Sequence, residues 1–180
     1  MPDESASAPV YYNSLYEHGV DGKRRVQIPA KWRPTRPDVE FTLIVWPKSA
    51  HGPCLRVLPP EQMGKLMADI NTMSNDDPNK VVLKRFIGSE SAQAALDKAG
   101  RICLPEEMTK TAGIKKAAVL VGLLDRFEIW NPERYAAVSD DDEDDDDGLG
   151  VLDPTLIGPK PPKPVIKEKK ELPRPEDSKE

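Results

Sequence analysis

Five cations of this chain stand in two short runs, and an aspartate opens each run. The first is Asp21-Gly22-Lys23-Arg24-Arg25-Val26-Gln27-Ile28-Pro29 and the second is Asp97-Lys98-Ala99-Gly100-Arg101-Ile102-Cys103-Leu104-Pro105. An arginine fork in such a place can grip a phosphate or a guanine edge through two N–H groups. The aspartate has another use: it tolerates turn geometry and accepts the backbone N–H bonds that open a tight loop. Lys23, Arg24 and Arg25, and then Lys98 and Arg101, are therefore expected to project from two short, stiff loops shaped by Asp21, Gly22, Asp97 and Gly100. Either run alone would read as a charged surface turn. Arg25 and Arg101 are 76 residues apart, however, and the pattern matches over nine positions. That is a duplicated unit, and it turns the reading from surface charge toward binding.

The elements that must hold these loops repeat as well. Around the first loop, residues 10–20 have aromatic and β-branched character suited to a strand, and residues 25–28 form the return strand. Pro29 fits the first position of a short helix that Pro34 and Pro37 stop. Residues 41–46 and 54–58 then make a hairpin across Gly52-Pro53. Around the second loop the order recurs: residues 92–96, 101–104, a short helix from Pro105, and a hairpin of residues 117–123 and 126–130. Gly122 inside that hairpin marks either a close backbone approach or a bulge. Leu58-Pro59-Pro60-Glu61 and Trp130-Asn131-Pro132-Glu133 correspond at an offset of 72, so the first copy carries a small insertion. Between the copies, Met63, Leu66, Met67, Ile70 and Met73 predict a helix over residues 60–73. A second helix over residues 79–87 should pack on it through Val81, Val82 and Phe86. Asn131-Pro132-Glu133 opens a terminal helix ending near Val138.

The resulting organisation is a disordered arm (residues 1–9), a first β-rich unit (10–58), connecting helices (59–88), a second unit (89–138) and a tail (139–180). The fold class is mainly β with α. Net charge is −5, but from Ser139 onward 14 Asp/Glu face 7 Lys/Arg, a net −7 that leaves +2 for residues 1–138. The tail begins with eight consecutive acids, residues 140–147, and continues into a Pro/Lys segment. Such a chain buries too little apolar area to offset its ordering entropy and is expected to be disordered, with protein recruitment or competition for the basic loops as its roles. No stretch approaches the ~18 apolar residues of a membrane span and the N-terminus has no signal pattern, so a cytoplasmic protein with no membrane partner is expected. Cys54, Cys103, His18 and His51 have no metal-ligand spacing, and no metal or cofactor is expected.

The run Tyr16-Glu17-His18-Gly19-Val20-Asp21-Gly22-Lys23-Arg24-Arg25-Val26-Gln27-Ile28-Pro29-Ala30-Lys31-Trp32-Arg33 resembles the N-terminal signature of the MraZ family of bacterial transcriptional regulators. The second loop, with Val119-Leu120-Val121-Gly122 and Phe127-Glu128-Ile129-Trp130, is similar to that family's second half. The resemblance covers residues 11–138. It implies two AbrB-like swapped-hairpin units related by a pseudo-two-fold, and ring-like homo-oligomers. It also implies binding of double-stranded DNA at short direct repeats upstream of the division and cell wall gene cluster, the protein's own promoter among them, with Lys23, Arg25, Lys98 and Arg101 as contacts. One departure stands out. The first loop of the family has Gly where this chain has Arg24, so either Gly22 takes over the unusual backbone geometry or the loop is reshaped. The acidic tail lies outside the family pattern.

A sequence-specific, nucleoid-associated DNA-binding regulator is thus the leading expectation. A non-enzymatic oligomeric adaptor with partner-recruiting tails is the alternative. An enzyme is not expected, because the chain has no phosphate-cradling Gly-rich loop, no Ser/His/Asp set and no metal quartet.

Overall fold

In the computed structural model, which describes residues 9–47 and 50–144, the apolar runs form eight strands and the three- and four-residue stripes form helices. In chain order these are β1 (Leu15–Gly19), β2 (Arg25–Gln27), a 3-10 turn (Ala30–Trp32), β3 (Glu40–Trp46), β4 (Cys54–Leu58), α1 (Pro60–Thr72) and α2 (Pro78–Ser89). They continue as β5 (Ser91–Ala95), β6 (Arg101–Cys103), α3 (Glu106–Ala112), β7 (Ala117–Gly122), β8 (Phe127–Trp130) and α4 (Pro132–Asp144). The class is α+β, as expected. The arm up to residue 8 and the tail from residue 145 lie outside the described residues.

The two repeats share their strands. Six strands form one sheet in the order β1-β7-β8-β4-β3-β5, and β2 pairs with β6 in a separate ribbon. When each strand is exchanged for its repeat equivalent (β1 for β5, β2 for β6, β3 for β7, β4 for β8), the order reads the same from the other end. Each repeat's first strand pairs with the other's third: Tyr16 stands opposite Leu120, and Ala92 opposite Leu43. Two pairings join equivalent strands directly. Val26 faces Ile102 in the ribbon, and Arg56 faces Glu128 in the sheet. Those partners are separated by the 76 and 72 residues already seen as repeat offsets.

The main core lies between ribbon and sheet. Val26, Ile28, Ile102 and Leu104 pack with Trp32, Phe41, Leu43, Phe127 and Ile129, all fully buried. Burying each such side chain stabilises the fold by about 1.5–3 kcal/mol. The ribbon is therefore pinned to the core by residues that alternate with Arg25, Gln27, Arg101 and Cys103. Gly122 proves to be a close approach: a Cβ there would stand 2.4 Å from the Tyr12 carbonyl oxygen.

Three local expectations need correction. The first strand is shorter than residues 10–20, because Ser14 has φ 80° and breaks the run; Tyr12 bridges Leu124 on its own. Val81 and Val82 do not face α1 but are 54% and 56% exposed, while Ile87 and Phe86 pack against Ile44, Leu58 and Ile70. The phase is set by Lys80, whose Nζ donates to the Met73 carbonyl (3.0 Å) and to Asn75 Oδ1 (2.8 Å) at the end of α1. That ammonium satisfies helix-end acceptors and turns the face bearing residues 80 and 87 inward. Finally, α4 runs past Val138 to Asp144, taking in the first acids of the octad. Acids at a helix C-terminus oppose its dipole, and here the His51 imidazole pairs with the Asp141 carboxylate at 2.5 Å.

Candidate nucleic-acid interface

Each basic loop is built on its aspartate. Asp21 Oδ1 accepts from the backbone N–H groups of Lys23 and Arg25, both at 2.9 Å, and Asp21 Oδ2 accepts from Arg25 Nε at 2.7 Å. Asp97 repeats the set: Oδ1 accepts from the N–H groups of Ala99 and Arg101 at 2.9 Å, and Oδ2 from Arg101 Nε at 2.9 Å. Backbone bonds close both turns in the same way, from Arg24 N–H to the Asp21 carbonyl and from Gly100 N–H to the Asp97 carbonyl. The backbone N–H of Arg25, followed by its side chain, holds the Asp21 carboxyl below the usual carboxylate range; Arg101 does the same for Asp97. Both carboxylates therefore stay ionised at neutral pH.

The aspartates also aim the arginines. Arg25 and Arg101 have side chains 30% and 33% exposed, and each commits its Nε to a loop carboxylate. The terminal amino groups are the part of each guanidinium left to offer a ligand a planar pair of donors. Lys23 and Lys98 are exposed, and no ion pair among the described residues involves either.

The ribbon carries one loop at each end, close enough for side chains to cross from one to the other. Arg25 stands opposite Cys103 and Gln27 opposite Arg101. Gln27 Nε2 donates to the carbonyls of Ala99 (2.9 Å) and Gly100 (3.2 Å), so a first-repeat side chain ties down the second loop. Arg101 Nη1 lies 3.9 Å from Asp21 Oδ2, a contact between loops. The ribbon is antiparallel, so the first loop lies at its Arg25/Cys103 end and the second at its Gln27/Arg101 end, while Arg25 and Arg101 stand diagonally across the face turned away from buried Val26 and Ile102.

Neither option for Arg24 describes the loop. Gly22 has no positive φ and the loop is not reshaped: Arg24 itself takes φ 59°, matching Gly100 at φ 76°. Its Nε donates to the Leu104 carbonyl at 3.2 Å, which offsets part of the strain of a non-glycine residue there. Two neighbours of the loops had no place in the expected site. Gln27 reads in sequence only as the polar member of an alternating strand. Arg33 lies eight residues past its own loop, yet its Nε donates to the Ile28 carbonyl at 2.9 Å and its guanidinium covers Gly100. A usable signal was the polar side chain at position 27, next to buried Val26 and Ile28; for Arg33 no local pattern marks the role.

Residues 88–147, which include the second loop, match the family model described as "MraZ protein, putative antitoxin-like". The Transcriptional regulator MraZ of Leuconostoc mesenteroides is 31% identical over 142 residues, 77% of this chain and 96% of the relative. That of Thermomicrobium roseum is 30% identical over 126 residues, 69% of this chain and 84% of the relative. The Rickettsia rickettsii protein of the same name is 33% identical over 122 residues, 68% and 82% of the two chains. These alignments span far more than one repeat, so the two-loop chain as a whole, and not a lone motif, belongs to the MraZ family.

Proposed function

We propose that this chain is a sequence-specific DNA-binding transcriptional regulator that reads promoter direct repeats with its two basic loops. The observation that carries the reading is the β2–β6 pairing, which sets two aspartate-locked arginines next to each other with exposed lysines beside them. Arg25 and Arg101 are the base-edge contacts; Lys23 and Lys98 meet phosphate; Arg24 adds a cation to the first loop. Asp21, Gly22, Asp97 and Gly100 shape the loops. The relatives' name, Transcriptional regulator MraZ, supports the same reading. One chain reaches few base pairs, so a ring-like homo-oligomer places loops about one helical turn, ~10 bp, from one repeat to the next. In this reading the targets lie upstream of the division and cell wall genes, the protein's own promoter included, and the protein works in the cytoplasm at the nucleoid. The two units, residues 10–58 and 89–138 about the connecting helices, act as the two halves of one reader.

Fluorescence anisotropy with duplexes tiled across DNA upstream of its own gene tests this. Arg25→Ala and Arg101→Ala are each expected to weaken the specific duplex by about 1–3 kcal/mol, the range of a bidentate base contact. Unchanged affinity in both variants overturns the assignment of the loops.

A further inference from the structure

The two loops need the same guanidinium and obtain it from different places. The ribbon makes the carbonyls of Ile28 and Leu104 repeat equivalents: Ile28 N–H donates to the Gly100 carbonyl and Leu104 N–H to the Arg24 carbonyl, both at 2.9 Å. Each of these two residues then presents its own carbonyl to an arginine. Leu104 receives Arg24 Nε at 3.2 Å, and Ile28 receives Arg33 Nε at 2.9 Å. Arg24 is the left-handed residue of its loop, whereas the second loop has Gly100 there, with no side chain to offer. A Cβ on Gly100 would meet Arg33 Nε at 2.4 Å, Cζ at 2.5 Å and Nη1 at 2.8 Å. Arg33 therefore lies flat on the face from which Arg24's side chain departs in the first loop. Gly100 is buried in consequence, although Lys98 and Ala99 beside it are exposed.

We propose that Arg33 is a member of the DNA-binding surface, the guanidinium that the second loop lacks in its own sequence. With it the loops become electrostatically equal. Lys23, Arg24 and Arg25 over Asp21 match Lys98, Arg33 and Arg101 over Asp97, each set carrying a net +2. A bare glycine at position 100 is then a requirement of Arg33's docking as well as of backbone geometry. The inference rests on the DNA-binding reading for its function, and on the shared carbonyl slot for its structure.

The test is a double-mutant cycle on the full chain, with thermal midpoint and DNA affinity measured over a salt series. Arg33→Ala is expected to cost about tenfold in affinity and to shallow the log–log salt slope by about one, as for one lost phosphate contact. Arg33→Lys should keep the slope while losing thermal stability, since its single ammonium cannot lie over Gly100 as a planar group does. Gly100→Arg alone should lower the midpoint, because the new side chain collides with Arg33. Together, Arg33→Ala and Gly100→Arg should recover both midpoint and slope, since the loop then carries its own arginine as the first loop does. Losses that simply add in the double variant overturn the proposal. If no protein of the set binds any duplex, the DNA reading fails, while recovery or loss of the midpoint still decides the shared slot.

Discussion

Loop Asp21–Arg25 and loop Asp97–Arg101 have the same turn and the same aspartate bonds, but Arg24 stands where the other has Gly100. A left-handed residue other than glycine costs on the order of 1–3 kcal/mol, so glycine would be the obvious choice twice. What the two loops share is the carboxylate that takes two backbone N–H groups, and the ribbon register that fixes the strands on either side. Loop shape is set by those, and the left-handed residue adapts. Arg24 recovers part of its cost through the bond to Leu104, and Gly100 leaves room for Arg33.

The sheet teaches a related lesson at its centre, where Arg56 meets its own repeat equivalent, Glu128. In a symmetric pair of identical units that position would face its own copy, charge against like charge. Fusing the copies in one chain lets them differ. Arg56 Nε donates to Glu128 Oε1 at 2.9 Å, Trp130 Nε1 donates to Oε2 at 2.8 Å, and the Arg56 guanidinium covers Trp46 at 3.8 Å. The largest expected effect comes from restoring the symmetry. Glu128→Ala strands a half-buried cation and a buried indole N–H, and should cost about 3 kcal/mol in urea denaturation. Arg56→Glu, which sets two carboxylates opposite each other, should cost more. A loss under about 1 kcal/mol for both would mean that the pair does not hold the halves together.

Next in size is the exchange at the left-handed position. Gly100→Ala adds a Cβ at φ 76° and forces the Arg33 guanidinium away, for an expected loss of about 2 kcal/mol. Arg24→Gly relieves backbone strain while removing one hydrogen bond, and should change stability by less than about 1 kcal/mol. Equal losses at the two positions would show that the loops are not alternative solutions of one geometry.

Much of this was legible in the chain. The repeat offsets of 76 and 72 are the separations of the residues that meet at the two symmetric pairings, because a duplicated unit that pairs with itself must bring equivalents together. The bonds from backbone N–H groups to the aspartates followed from side-chain chemistry, whereas the Arg25 and Arg101 side-chain bonds to the same carboxylates did not. Strand exchange between repeats was not in the apolar pattern, since alternation says which face is buried but not which neighbour supplies the hydrogen bonds. The phase of α2 was missed because Lys80, a charged residue, is what faces α1. Arg33 was missed for a similar reason: it donates to the Ile28 carbonyl and covers Gly100, and neither a backbone acceptor nor a bare glycine marks such a contact in a sequence.

A smaller effect is expected from pH. Asp21 and Asp97 have folded pKa values below the ordinary value, chiefly through the N–H groups of Arg25 and Arg101. The locks therefore contribute fully above the unfolded value, about 3.9, and are lost as pH falls through the lowered folded values. Amide chemical shifts of Lys23, Arg25, Ala99 and Arg101 should stay flat from pH 7 to about 4 and move together below that. Asp21→Asn should abolish the step in the first loop alone. A transition centred above pH 5 in either loop would break the equivalence of the two locks.

The smallest effects separate charge from position. Lys23 lies two residues after its aspartate and Lys98 only one, so the lysines leave their loops from non-equivalent sites. The salt slope of DNA binding counts neutralised phosphates, about 0.9 each, and is indifferent to which backbone atom carries the cation. Lys23→Ala and Lys98→Ala should therefore shallow the slope equally, while leaving the preference between specific and random duplex nearly unchanged. Moving the second lysine to the first loop's position, by Lys98→Ala with Ala99→Lys, should restore the slope, because residue 99 has the same backbone role as residue 23. If Lys23→Ala shallows the slope and Lys98→Ala does not, only the first loop touches phosphate, and the two loops of the ribbon do not act as a pair.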